Sequence, residues 1–559
     1  MEACLQLGRP SEGPITVVGR VCHERTPSLG ESSRIRLFHQ HCRTSWGTSE
    51  FDVSCPRIAP LVARGRRALA ESGIVRYGSS GLVGPDNSVR QSDISPTVRS
   101  SRVPEGADMT NRVLSPTGGA SCEVRVLLEN GEYWLNNKGD LAILDETVRR
   151  FAERWPHARI GVLTSAPALL RAYEPRVDAI CYQRGGSWPR RRRRPGPASL
   201  LGPGIAGAPM NAWDAAVAVP GRITRRVRRV RGTADEDRTV PDAVATASVV
   251  VAIGGGYMTD IDRFQTERTL TLLERAADLG IPTAMTGQGF GPLTAPDLLE
   301  RAAQVLPRVD LIGLREDLRG PELLHSLGVP ADRVVVTGDD AVELGYSTRR
   351  AELGTDLGVC LRVAEYSPVG AAISDAVGRA VREKAAAHAA HLVPLIVSEH
   401  DAEDRRSTMP LLAEYSGTIP PLGRFAGAPA LSHRVGRCRM IVTGAYHVAV
   451  FALSQGISVV GLSTSRYYDD KFAGLGSMFG TGIETVRLDE DGMPDRLRAV
   501  IGKVWADAPD MRIELLTRAE RQIRASRAVF DRIGDLVELP VSARRDPQAD
   551  PSPPPTSPR

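Results

Sequence analysis

The chain has 559 residues, 42% of them apolar and 25% charged, with a formal net charge of +5. That length holds two or three domains with substantial cores, and so small a charge excess, much of it local, excludes a uniformly basic nucleic-acid-binding face. No run approaches the roughly 18 apolar residues of a membrane span, the first residues show no charged stretch ahead of an apolar one as a secretory signal would, and the 8 scattered cysteines form no disulfide framework, so the expected setting is cytoplasmic.

Residues 1–122 carry short apolar fragments, Ile15–Val18 and Leu61–Val62, among Ser, Arg, Gly and Pro without a sustained period. A disordered extension is expected, with Met109 as a candidate start. Cys22, His23, His39, His41, Cys42 and Cys55 are potential zinc ligands, but their spacing matches no compact zinc pattern. No metal site is expected.

From Cys122 the pattern changes. Glu123–Leu128 predicts a strand, and Ile143, Leu144, Val148 and Phe151 predict a helix over Asp140–Glu153. Ile160–Thr164 and Ala179–Tyr182 predict strands. An insert, Gly185–Arg238, follows with Arg190–Arg194 and a second basic run at Arg225–Arg229. Like charges this dense repel, so a solvated loop is expected; the competing reading is a basic arm for an anionic lipid-linked acceptor or membrane surface. Strands at Val249–Ile253, Thr283–Thr286, Leu311–Leu314 and Val334–Thr337 then alternate with helices at Arg268–Leu279, Leu298–Val305 and Leu318–Leu327. After the connector Ser347–Thr355, a second set begins with strand Leu357–Leu361, helix Ala371–Ala390 and strand Leu392–Val397. It ends with strand Thr485–Leu488 and helices at Asp495–Ala506 and Leu515–Leu536. The alternation predicts an α/β protein of two domains, 123–346 and 356–537, with parallel sheets facing a central cleft. Residues 538–559 read as a disordered, proline-rich tail.

Within the second set, Cys438–Gly476 reads strand, turn, helix, strand, turn, helix. Arg439–Thr443 is a strand broken by Gly444, and His447 stands on the first turn of helix Tyr446–Ser454. Strand Ile457–Leu462 leads into a polar turn with Arg466, Tyr467, Tyr468 and Lys471. Ligands of open parallel sheets collect at carboxyl ends of strands, where helix N-termini offer free N–H groups. The segment is therefore a candidate site for a small phosphorylated anion. A helix start lowers the pKa of His447 and a phosphate raises it again, so the side chain suits donation to phosphate or proton transfer. Lys471 can close over the anion or be a solvated helix residue, and Tyr468 can stack on a sugar ring. Arg362, ending the first strand of the second domain, is either a phosphate or carboxylate ligand or an ordinary surface arginine.

In the first domain, Asn137-Lys138-Gly139-Asp140 follows a strand and opens a helix, so Asp140 can cap that helix or touch a substrate. Gly254-Gly255-Gly256 ends a buried strand but is neither a dinucleotide fingerprint nor a phosphate-cradling loop. Asp260 just beyond can take a proton from a sugar hydroxyl or cap a helix. In the turn Gly287–Pro292, Gln288 suits a sugar hydroxyl or braces a tight loop.

Thr443-Gly444-Ala445-Tyr446-His447, with Ala449–Leu453 and Gly456–Val460, resembles the C-terminal signature of the polysaccharide pyruvyl transferase family. Asn137–Asp140, Gly254–Gly256 with Asp260, Gly287–Pro292, Arg315-Glu316-Asp317 and Gly338-Asp339-Asp340-Ala341 agree with it in order, over about Val124 to Leu536. One departure is Ala445, where many members carry an arginine. The resemblance implies a GT-B-like pair of Rossmann-type domains. It also implies transfer of the enolpyruvyl skeleton of phosphoenolpyruvate to a sugar or lipid-linked oligosaccharide, giving a cyclic ketal and phosphate. Phosphoenolpyruvate enters as substrate, with no cofactor, metal or nucleic acid. Arg362, His447 and Lys471 would hold the donor, with His447 and Asp260 catalytic. Asn137, Asp140, Gly255, Gln288 and Tyr468 would face the acceptor. The alternatives are a nucleotide-sugar glycosyltransferase on the same plan and a catalytically silent scaffold for polysaccharide assembly.

Overall fold

A computed structural model of the chain describes residues 123–130, 135–182, 185–189, 197–207, 240–364, 367–400 and 403–538. The expected N-terminal extension, both arginine runs and the tail beyond Glu538 lie outside the described residues.

Among the described residues thirteen strands form two parallel sheets. The first contains β1 (Arg125–Glu129), β2 (Arg159–Leu163), β3 (Asp178–Ile180), β4 (Val249–Ala252), β5 (Gly255–Met258), β6 (Thr283–Phe290), β7 (Leu311–Leu314) and β8 (Val334–Val336). Its order is β3-β2-β1-β4-β6-β7-β8, with β5 paired to β6. The second contains β9 (Asp356–Cys360), β10 (Leu392–Pro394), β11 (Cys438–Thr443), β12 (Ser458–Ser463) and β13 (Ile483–Arg487), in the order β10-β9-β11-β12-β13. The first-lobe helices are α1 (Lys138–Arg154), α2 (Pro167–Tyr173), α3 (Pro197–Ala206), α4 (Arg263–Asp278), α5 (Pro296–Val305), α6 (Gly320–Ser326) and α7 (Val342–Ser347). The second lobe adds α8 (Ala371–Ala387), α9 (Glu403–Leu412), α10 (Ala428–Val435), α11 (Tyr446–Ser454), α12 (Arg466–Phe479) and α13 (Met493–Glu538). This is the expected pair of Rossmann-type parallel sheets.

The sequence pattern explains the layers. Strands β4, β9 and β12 are buried along their whole length, because a parallel sheet is covered on both faces. Helix α1 buries Leu141, Leu144, Val148 and Phe151 along one face, and the Asn137 side chain caps it by accepting from the Gly139 N–H at 2.9 Å. Strand order reverses between β1 and β4 in one sheet and between β9 and β11 in the other. Those reversals are where ligands of such sheets collect.

The lobes are joined tightly. One hydrophobic cluster includes Val126 and Leu128 of β1, Ile441 of β11, Val459 of β12 and most of α11. An antiparallel bridge pairs Asn137 with Ser398. Beside it the Lys138 N–H donates to Val397 O at 3.1 Å and the Glu399 N–H to Asn136 O at 2.9 Å.

Three elements differ from the expectation. The two expected C-terminal helices are one helix, α13, running through Pro509. Its first half buries Leu497, Ile501 and Trp505 in the second lobe's core, and its second half packs Phe530 at a tilt against Phe151 with ring centroids 5.1 Å apart. Packing on both sides outweighs the hydrogen bond that a helical proline removes. Strand β6 runs through Gly287, Gln288 and Gly289 instead of turning at Gly287, with a register irregularity between Met285 and Gln288. The expected polar turn after β12 is already helix α12 from Arg466 onward.

Candidate active site

Helix α11 begins directly after β11. The Thr443 hydroxyl accepts from the Ala445 N–H at 2.9 Å, and His447 follows on the first turn. The first lobe covers this buried imidazole: Nε2 is 4.0 Å from Asp140 Oδ1 and 3.8 Å from Asp339 Oδ2, and it makes no hydrogen bond. Asp140 comes from the start of α1, and Asp339 from the segment between β8 and α7.

Two cations stand beside this group. Arg315, the first residue after β7, is buried with its guanidinium carbon 4.3 Å from the Tyr446 ring centroid and Nη1 3.6 Å from Asp339 Oδ2. Its place depends on two glycines: a Cβ on Gly256 would lie 2.5 Å from Nη2, and one on Gly289 would lie 2.4 Å from Nε. Lys471, on the second turn of α12, donates to the Tyr467 hydroxyl. That hydroxyl donates to Gly256 O at 3.2 Å, joining the lobes. Tyr446, Tyr467, Arg315 and Lys471, with Phe290, Glu316, Arg319 and Asp470, line a small cleft between the lobes.

The charges perturb one another. Burial, then the fields of Arg315, Lys471 and Arg362, hold the His447 pKa well below its usual value, so the imidazole is neutral. Burial, followed by Arg315 and Arg362, also depresses the Lys471 pKa strongly. Burial and then Asp339 push Asp140 up to about 6. Burial pushes Asp339 to about 6 against the opposing field of Arg315. The arrangement presents an arginine and a lysine of depressed basicity from different lobes, a neutral histidine and two carboxyl groups ready to take protons. It can bind a compact polyanion and move a proton beside it.

Of the residues singled out from the sequence, Asp140, His447 and Lys471 come together here. Arg362 lies close enough to influence them electrostatically, but its guanidinium is engaged: Nε and Nη2 both donate to Asp404, the second at 3.0 Å. Asp404 also accepts from the Val397 and Ser398 N–H groups at 3.1 and 2.7 Å. Arg362 is therefore a buried pairing residue, not a surface arginine. Asn137 caps α1, and Gly255 pairs with Gln288 within the sheet. Gln288 is wholly buried, donating to Ile253 O at 2.6 Å and the Tyr257 hydroxyl at 2.7 Å. It ties strands together and does not line the cleft. Asp260 accepts from the Thr294 N–H and hydroxyl, both at 2.7 Å, and from the Ala295 N–H at 3.2 Å. Those bonds tie the loop after β5 to the segment that leads into α5, so Asp260 is a bracing residue of that connection and caps neither α5, whose N-cap is Ala295, nor α4, which Asp262 caps. Tyr468 packs inward against Phe472, with centroids 6.1 Å apart, and Tyr467 holds the cleft position instead.

The sequence motifs contain Arg315, Asp339, Tyr446 and Tyr467 without assigning any of them a role. Arg315 and Asp339 stand in two of the quoted motifs, each just after a strand, and strand-end position was the signal that marked them. Among the described residues no group of three or more His, Cys, Asp or Glu side chains is disposed to hold a metal ion, and no helix is long and apolar enough to cross a membrane.

No curated protein sequence matches the chain. Among solved structures it is similar to MnaA of S. aureus determined with UDP, at 12% identity over 75% of this chain and 97% of that one, TM-score 0.44. It is similar to the UDP-GlcNAc 2-epimerase of Neisseria meningitidis bound to UDP-GlcNAc, at 12% identity over 74% and 99%, TM-score 0.43. It is also similar to the calicheamicin glycosyltransferase CalG4, at 13% identity over 76% and 100%, TM-score 0.39. The sequence pattern of polysaccharide pyruvyl transferases matches residues 137–466. That span starts on the cap of α1 and takes in Asp140, Arg315, Asp339, Tyr446 and His447, stopping just short of Tyr467 and Lys471. The chain belongs to the polysaccharide pyruvyl transferase family, transferases whose acceptor is a sugar or polysaccharide.

Proposed function

We propose that the protein transfers the enolpyruvyl skeleton of phosphoenolpyruvate to two hydroxyls of a sugar, forming a pyruvate ketal and releasing phosphate. One observation supports the donor reading above all. Arg315 and Lys471 face one cleft from opposite lobes and neither is hydrogen-bonded to a carboxylate, the nearest approach being Arg315 to Asp339 at 3.6 Å. A donor bearing both a phosphate and a carboxylate meets that demand.

In this scheme Arg315 and Lys471 hold the donor's anionic groups, and the Tyr446 and Tyr467 rings bound its flat enol. His447, neutral until the donor's charge offsets that of Arg315 and Lys471 and then protonated between Asp140 and Asp339, delivers a proton to C3, turning the methylene into a methyl and leaving an oxocarbenium-like centre at C2. One acceptor hydroxyl attacks C2 and loses its proton. The C2–O bond to phosphate breaks, and the second hydroxyl closes the ring and loses its proton. Of the two hydroxyl protons, one balances that delivered to C3 and the other leaves with phosphate. Positioning and a buried charge field supply the acceleration.

The test is phosphate release by the full chain from phosphoenolpyruvate, with and without a panel of free sugars, nucleotide sugars and lipid-linked oligosaccharides, with mass spectrometry for the ketal. Release only with one acceptor class supports the reading. Cleavage of a nucleotide sugar, with phosphoenolpyruvate neither consumed nor protective against thermal unfolding, would replace it with glycosyl transfer.

A further inference from the structure

Asp339 Oδ2 faces two partners at once. Arg315 Nη1 stands 3.6 Å away and His447 Nε2 3.8 Å away, and the buried oxygen is hydrogen-bonded to neither. The other carboxyl oxygen accepts from the Ala341 N–H at 2.9 Å, which anchors the group in place. Across the imidazole, Asp140 Oδ1 waits at 4.0 Å, and Nε2 itself has no partner. A shift of less than about 1 Å would convert either approach of Asp339 into a hydrogen bond.

We propose that an anion seated on Arg315 and Lys471 releases Asp339 from Arg315 to His447, so that donor binding loads His447 with a proton. Asp339 is then a positioning residue. It reports the state of the anion site to the imidazole without touching the anion. The inference rests on the cleft being an anion site, not on the anion being phosphoenolpyruvate.

The charges around His447 account for the direction. Arg315 after β7, Lys471 on α12 and Arg362 after β9 are the basic groups, with Lys471 itself depressed by burial and by the two arginines and Arg362 offset by Asp404. Asp140 on α1 and Asp339 ahead of α7 are the carboxyls. Asp340 beside Asp339 is engaged by Arg150 and Ser526, and the uncharged Tyr446 ring meets the imidazole edge-on at 5.4 Å. With the site free, the cations and burial keep the ring neutral. A dianion cancels the fields of Arg315 and Lys471 and leaves two carboxylates beside the ring, which favour imidazolium. The group takes up a proton wherever the pH lies above its free-state pKa and below its bound-state pKa.

Titration calorimetry of the full chain near pH 7, with sulfate and separately with phosphoenolpyruvate in two buffers of different ionisation heat, counts the protons taken up. Sulfate does not titrate in this range, so its uptake belongs to the protein. About one proton per sulfate bound is expected. His447→Gln should lose most of that uptake per sulfate bound, and Asp339→Asn more than half. A spectrum of the parent protein with labelled histidine needs no variant: one of the 10 histidine signals should move to the imidazolium position on adding sulfate. Sulfate binding without uptake, or uptake that persists in His447→Gln, would overturn the inference. Failure of phosphoenolpyruvate alone, with sulfate still bound and a proton taken up, removes the donor reading and supports the inference. If neither anion binds, both fall.

Discussion

Gly139 lies against the imidazole of His447, so closely that a Cβ on Gly139 would fall 2.0 Å from the ring. The start of α1 in one lobe and the start of α11 in the other are thus fitted to each other, and Asp140 reaches His447 only because its neighbour has no side chain.

Gly139→Ala should therefore strike catalysis directly. The added methyl must displace the imidazole or the first turn of α1, at a cost of about 1–3 kcal/mol for an overpacked site. Turnover of the folded protein should fall about a hundredfold, the scale of a lost proton-transfer group. Steady-state kinetics beside a denaturation curve separate the two effects. Near-parental turnover would remove His447 from the reaction.

Lys471→Met keeps the stem and removes the charge. Donor affinity should fall at least tenfold, since hydrogen bonds to charged groups contribute about 1.5–3 kcal/mol. Stability near neutral pH should hold or rise, because the depressed Lys471 pKa means that the fold disfavours its charged form. A titration with phosphoenolpyruvate and a melting curve check both halves.

Asp404→Ala and Arg362→Ala should each cost about 3–5 kcal/mol, because either leaves a buried charge without its partner. The double replacement Arg362→Met with Asp404→Leu should cost less than either single change. Chemical denaturation of all three decides it. Equal losses in the double and single variants would show that the ion pair itself, and not the orphaned charge, matters.

Asp260→Ala should lower stability by about 1 kcal/mol, the scale of the hydrogen bonds it makes to Thr294 and Ala295, and leave turnover per folded molecule within about twofold. A loss of turnover that exceeds the loss of folded protein would return Asp260 to the reaction.

Asp339→Asn supplies a pH test. Asp339 titrates near 6 in the folded protein against a usual 3.8. Between those values the native state holds more protons than the unfolded chain, so this group makes stability fall as pH rises through the interval. Replacing it should raise the melting temperature above about pH 6, and the gain should vanish near pH 4, while turnover drops. A constant difference across that range would mean that packing, not charge, sets the effect.

The legible parts of this molecule are those governed by near neighbours in sequence. Strands β4, β11 and β12 announce themselves as apolar runs between glycines or polar turns, because strands covered on both faces have no wet side. The placing of His447 just past a strand and on a helix start follows from Gly444 and the apolar run after it. Tyr467 and Tyr468 show the limit. Which of the two faces the core depends on where α12 begins, and with Arg466 as its first residue the helical period pairs Tyr468 with Phe472 inside and Tyr467 with Lys471 at the cleft.

By itself the sequence determined the α/β class, the parallel alternation, the strand ends at which ligands collect and the motifs that carry the family. Only the tertiary structure decided what the polar side chains at those ends do. Asp260 became a loop brace because Thr294 and Ala295 arrive beside it, and Arg362 became a buried partner because α9 brings Asp404. Asp339 joined His447 because the two lobes pack through a shared core. Periodicity and capping act over a few residues, whereas these pairings are set by how separate strands and helices converge. That convergence follows from packing across the whole fold, and no local stretch of sequence encodes it.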